Sequence, residues 1–140
     1  MNTDRKTTSR DESKGNGNKK QMKSIVLYSS DVDFCISFML LFQDRYNVTT
    51  TSDVEMLTLA VEQHHPDLVI ADAVPNERMA HRFDQIKQEH PHLPIILFYV
   101  SRLENLALKE NIVKYVDAMF SKPIDISEVT KRINDLVMKN

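Results

Sequence analysis

From Lys23 onward, short β-branched runs alternate with longer stretches of helical period, five times in succession. That alternation limits the fold more than any other feature, because it is the signature of βαβ units laid onto a parallel sheet. The expected strands are Ile25–Tyr28, Val48–Thr51, Leu68–Ala71, Ile95–Tyr99 and Ala118–Ser121. The third and fourth are almost continuously apolar, as central strands covered on both faces should be. Between them, Val32, Cys35, Met39 and Phe42, then Leu57, Ala60 and Val61, then Met79, Phe83 and Ile86 before the His90-Pro91 break, space out as helices. A fourth helix is expected around Leu103 to Asn111. The last is marked by Asp125 and Glu128 at capping-box spacing and by a stripe of Ile126, Val129, Ile133 and Leu136. The fold class is therefore α/β, a doubly wound five-stranded parallel sheet.

Residues 1–22 read differently. They are polar, hold both glycines of the chain (Gly15 and Gly17), and have too little apolar surface to offset the entropy of ordering them. We expect a disordered tail over 1–22 and one domain over 23–140, about 118 residues, enough for a single core. The tail lacks the apolar region of a secretory signal. The longest apolar stretch, Phe34 to Phe42, is far shorter than the roughly 20 residues of a membrane helix. With 18 Lys and Arg against 20 Asp and Glu, no charge surplus calls for nucleic acid or an anionic membrane as a partner. Cys35 is the only cysteine, so there is neither a disulfide framework nor a CxxC pair, and a reducing, cytoplasmic setting is the expectation.

An open parallel sheet carries its functional groups at the carboxyl ends of its strands. Those ends hold Ser29, Ser30 and Asp31, then Asp72, then Tyr99 and Ser101, and finally Lys122-Pro123. The segments Pro66-Asp67-Leu68-Val69-Ile70-Ala71-Asp72, Leu93-Pro94-Ile95-Ile96-Leu97 and Phe120-Ser121-Lys122-Pro123, in this order and spacing, resemble strands three, four and five of response-regulator receiver domains. The likeness spans about residues 23–138. It implies the flavodoxin-like strand order 2-1-3-4-5 and a role in phosphorelay (two-component) signalling. It further implies that Asp72 accepts a phosphoryl group from a phosphohistidine and that Lys122 binds the phosphoryl oxygens. Tyr99 stands where the family places its phosphoryl-binding Thr or Ser, and Ser101, two residues on, is the candidate substitute hydroxyl. Such chemistry needs cations, because charge spreads over the equatorial oxygens as a carboxylate attacks phosphorus.

The chain departs from the family pattern around this site. Ser29 and Ser30 replace the acidic pair that holds Mg²⁺, a hard cation that prefers carboxylates. Asp31 is the nearest acid that could join Asp72 as a ligand, but an N-cap of the first helix is its simpler role. Mg²⁺ binding is accordingly expected to be weak. Tyr99 is large for a Thr or Ser position, Met119 replaces the family's switch aromatic, and Tyr115 replaces a glycine. The resemblance implies a histidine kinase or phosphotransfer protein as the upstream partner. Downstream it implies a target protein bound by the face of helix four, strand five and helix five. The chain is expected to stand alone and to be no enzyme. A phosphorylation-independent pseudo-receiver acting as an interaction module is the alternative.

Other chemistries have less behind them. No glycine lies beyond the tail, which excludes Gly-rich phosphate loops, and no histidine shares the strand-end edge with the serines. His64, His65, His90 and His92 follow the second and third helices, where histidines favour the helix dipole.

Overall fold

The computed structural model describes residues 22–102 and 106–138. The tail proposed over 1–22 lies outside the described residues except for Met22, as does the expected start of the fourth helix at 103–105. The elements are β1 (Ser24–Ser29), α1 (Val32–Phe42), β2 (Asn47–Thr51), α2 (Leu57–His64), β3 (Leu68–Asp72), α3 (Glu77–Glu89), β4 (Ile95–Tyr99), α4 (Leu106–Ile112), β5 (Ala118–Ser121) and α5 (Ile126–Met138). Short 3₁₀ turns at Val54–Met56 and Val113–Tyr115 precede α2 and follow α4. The five strands form one parallel sheet in the order β2-β1-β3-β4-β5, the order the resemblance implied.

The two-residue period of the strands divides the core in two. Val26, Tyr28, Val69, Ala71, Ile95 and Leu97 pack on one face with α2, α3 and the end of α4. Ile25, Leu27, Leu68, Ile70, Ile96 and Phe98 pack on the other with α1 and α5. Helix α1 differs from expectation in its inward face. Cys35, Phe38 and Phe42 are buried, whereas Val32 is exposed, because the first turn sits at the carboxyl edge where the sheet ends. Val32, Ile36 and Leu40 instead form an outward stripe at i, i+4 and i+8, respectively 55 %, 51 % and 61 % exposed.

Side-chain caps mark where α1, α3 and α5 begin. Asp31 Oδ1 accepts from Phe34 N (3.2 Å), Asn76 Oδ1 from Met79 N (2.9 Å), and Asp125 Oδ1 from Ser127 N (2.9 Å) and Glu128 N (3.3 Å). Helix α2 ends on His65, whose φ of 47° lies in the left-handed region that glycine usually supplies. At the amino edge of the sheet, Asp67 Oδ2 accepts from Ser24 N (2.8 Å), and Asp117 Oδ2 from Ile95 N and Lys87 Nζ (both 2.9 Å). These carboxylates satisfy strand-end amides. Asp72 is the strand-end carboxylate left at the opposite edge.

Candidate functional site

Strand β3 delivers Asp72 at its last residue, and the register places it directly opposite Ser29 on β1 and Phe98 on β4. Ser29 is fully buried. Its hydroxyl donates to Asp72 Oδ2 (2.7 Å) and accepts from Asp31 N (3.1 Å). From the far side, Lys122 Nζ lies 2.5 Å from Asp72 Oδ1. Lys122 leaves β5 just after Ser121 and is anchored by its own amide, which donates to Tyr99 O (2.8 Å). Its ammonium also sits 5.2 Å from the Phe34 ring centroid. The Lys122–Pro123 peptide is cis.

Asp72 thus has one oxygen on a hydroxyl and the other on an ammonium, with its side chain 10 % exposed. The pair is electroneutral without any metal. The charge of Asp72 and the burial around it act on neighbours. Burial, then Asp72 and Asp53, push the Tyr28 phenol above its ordinary value, while Arg78 opposes them. The Cys35 thiol is raised chiefly by burial, and its Sγ–H donates to Ser29 O (3.5 Å).

The structure sorts the other candidates by position. Asp31 lines the same cleft as Asp72, but its carboxylate caps α1, and Ser30 beside it is exposed. For Asp72 itself, capping α3 is ruled out as its role, since Asn76 does that. The Tyr99 ring is buried on the α2–α4 side of the core with Lys109 Nζ 4.9 Å from its centroid, and Ser101 is exposed between two residues that line the cleft, Val100 and Arg102. Among the described residues no three His, Cys, Asp or Glu side chains converge to hold a metal ion, His64, His65, His90 and His92 included. The donor set at Asp72 fits Mg²⁺ poorly. One carboxylate is already bonded at both oxygens, and hydroxyls replace the acids a hard cation favours.

Sequence reasoning missed three cations at this edge. Arg78 and Arg82 on α3 and Arg102 after β4 line a cleft of about 590 Å³ together with Asp72 and Lys122. Their signal was present as Arg78 and Arg82 four residues apart in the helix that follows the Asp72 loop.

No family model and no curated protein sequence matches the chain. Solved structures do. The receiver domain of a Francisella response regulator superposes with a TM-score of 0.70 at 17 % identity, over 84 % of this chain and 98 % of that one. The N-terminal signal receiver domain of a Bacteroides fragilis two-component response regulator gives 0.69 at 18 % identity, over 84 % and 98 %. The signal receiver domain of a modulated diguanylate cyclase from Desulfovibrio desulfuricans gives 0.72 at 12 % identity, over 85 % and 96 %. The chain has the response-regulator receiver fold. At these identities the likeness is one of fold; where the resemblance implied an acidic pair, the end of β1 carries Ser29 and Ser30. No helix among the described residues of this receiver fold is long and apolar enough to cross a membrane.

Proposed function

We propose that this chain is a receiver-type module of phosphorelay signalling, with Asp72 as its phosphoacceptor and with output through protein contacts. One observation carries the reading: Asp72 at the end of β3 is held 2.5 Å from Lys122 at the end of β5. In the transfer, a carboxylate oxygen of Asp72 attacks the phosphorus of a phosphohistidine on a kinase or phosphotransfer protein. The phosphorus–nitrogen bond breaks and the imidazole leaves with its electron pair. Lys122, already ion-paired, offsets charge on the phosphoryl oxygens. Tyr99 would have to turn out of the core to reach them, so Ser101 is the more accessible hydroxyl. The proposed target face carries Leu106, Val113 and Ile126, all exposed apolar residues near α4, β5 and the start of α5.

A second reading is favoured by Ser29. Its hydroxyl takes the place of an acid and completes a neutral, metal-free cluster with Asp72 and Lys122. In that reading the cluster is structural and the module binds its partner without phosphorylation. Incubation with acetyl phosphate, followed by intact mass and peptide mapping, separates the two. A phosphoryl adduct on the unmodified chain that is absent from Asp72→Asn supports the first. No adduct with or without Mg²⁺ leaves the second.

A further inference from the structure

Phosphotransfer at Asp72 leaves Arg78, Arg82 and Arg102 without a task. The side chains lining the cleft carry four positive charges, on these arginines and Lys122, against two negative ones on Asp31 and Asp72. Both carboxylates are engaged, Asp31 by the cap of α1 and Asp72 by Ser29 and Lys122. Arg78 Nη2 and Arg82 Nη2 share the carboxylate of Glu55 at 3.0 and 3.3 Å, and Arg82 Nη1 donates to Thr58 Oγ1 at 3.3 Å. Glu55 is 62 % exposed and so is screened by solvent in both pairs, although Arg82 itself is largely covered, so an incoming anion can displace the carboxylate. Arg102 has no ion-pair partner among the described residues.

The cleft is also larger and less polar than a lone oxyanion requires. Tyr28, Val54, Met79 and Val100 contribute apolar wall between the cations. Its volume of about 590 Å³ lies inside the roughly 300–1,000 Å³ range of small-molecule sites. We propose that this cleft binds a phosphorylated small molecule with an uncharged, partly apolar body, of the size of a nucleoside monophosphate. The phosphate is held by the guanidinium groups, whose planar forks match phosphate oxygens, and the body lies against the apolar wall. A surplus of two positive charges among the lining side chains matches a phosphomonoester dianion. The ligand is bound and not transferred, so the proposal does not rest on Asp72 being a phosphoacceptor.

The test is titration of the full chain with AMP, by calorimetry and by amide NMR shifts, with adenosine and inorganic phosphate as separate probes. AMP is expected to bind saturably, with shifts at Tyr28, Arg82 and Arg102. Arg82→Gln and Arg102→Gln should each weaken it about tenfold or more, as loss of a charge-assisted hydrogen bond does. Glu55→Gln should tighten it by freeing Arg78 and Arg82. Asp72→Asn should bind AMP at least as well as the unmodified chain, which separates this result from the labelling test. Arg102 is exposed, so its variant stays informative even if Arg82→Gln folds poorly. The proposal is overturned by absence of saturable AMP binding at millimolar concentration, or by unchanged AMP affinity in Arg102→Gln. It is equally overturned if adenosine, or inorganic phosphate, binds as tightly as AMP.

Discussion

Ser29 shows how one hydroxyl can change what a strand end does. In the sequence it stands as a missing acid; in the fold it is a buried donor that fixes Asp72 Oδ2 at 2.7 Å. Ser29→Ala should therefore cost roughly 1.5–3 kcal/mol, the worth of a hydrogen bond to a charged group, read as a lower urea midpoint. An unchanged midpoint would mean that Lys122 alone satisfies the carboxylate. The pairing was not legible in advance, since it depends on β1–β3 register, which one strand's residues do not reveal. Asp31 as a cap was legible, because its side chain needs only the local amides of α1. Titration offers a second residue-scale test. Burial raises the Tyr28 and Tyr46 phenols above their ordinary 10.0 and the Cys35 thiol above 9.0. The native state then keeps these protons to higher pH than the unfolded chain does. Their contribution to stability is complete below the ordinary values and is lost as pH rises through the raised ones. Urea midpoints should fall from about pH 9 upward, and Tyr28→Phe should remove part of that slope. A flat profile over this range would show that these groups titrate as in the unfolded chain.

Elements were easier to foresee than faces. All five strands fall within one residue of expectation at each end, because β-branched runs between breakers mark a strand by local propensity. Helix α1 was harder. It is apolar nearly all round, so its period does not say which stripe the sheet covers. The structure assigns Phe38 to the core and Ile36 to solvent. Phe38→Ala should accordingly cost about 3–5 kcal/mol, while Ile36→Ser should stay within about 0.5 kcal/mol of the unmodified chain. Comparable losses for both would place the helix in another rotation. Helix α5 was more legible: Asp125 caps it and Val129, Ile133 and Leu136 are buried as expected, whereas Ile126, in the first turn, is exposed and Val137 is buried in addition. Asp125→Ala should lower stability by about 0.5–2 kcal/mol in a denaturation midpoint, since Asp125 takes the amides of Ser127 and Glu128. No change would mean that solvent satisfies those amides equally well.

At the scale of the whole molecule, the fold segregates its carboxylates by sheet edge. Asp67 and Asp117 secure strand ends at the amino edge, and Asp72 meets Lys122 at the carboxyl edge. Topology brings Asp72 and Lys122 together across 50 residues of sequence, and that much was readable from the order of the strand-end segments. The arginines of the cleft were not, because their convergence depends on how α3 and the segment after β4 flank the same opening. We propose Asp72 as a phosphoacceptor whose cation demand is met by Lys122, with Ser29 and Ser30 standing where the resemblance implies two acids. That role is tested by the rate of acetyl phosphate labelling at Asp72, measured across a Mg²⁺ series in the unmodified chain and in Ser29→Asp/Ser30→Asp. Slow labelling that depends little on Mg²⁺ is expected in the first, and faster, Mg²⁺-dependent labelling in the second. Rapid and strongly Mg²⁺-dependent labelling of the unmodified chain, or no labelling of either protein, would contradict it.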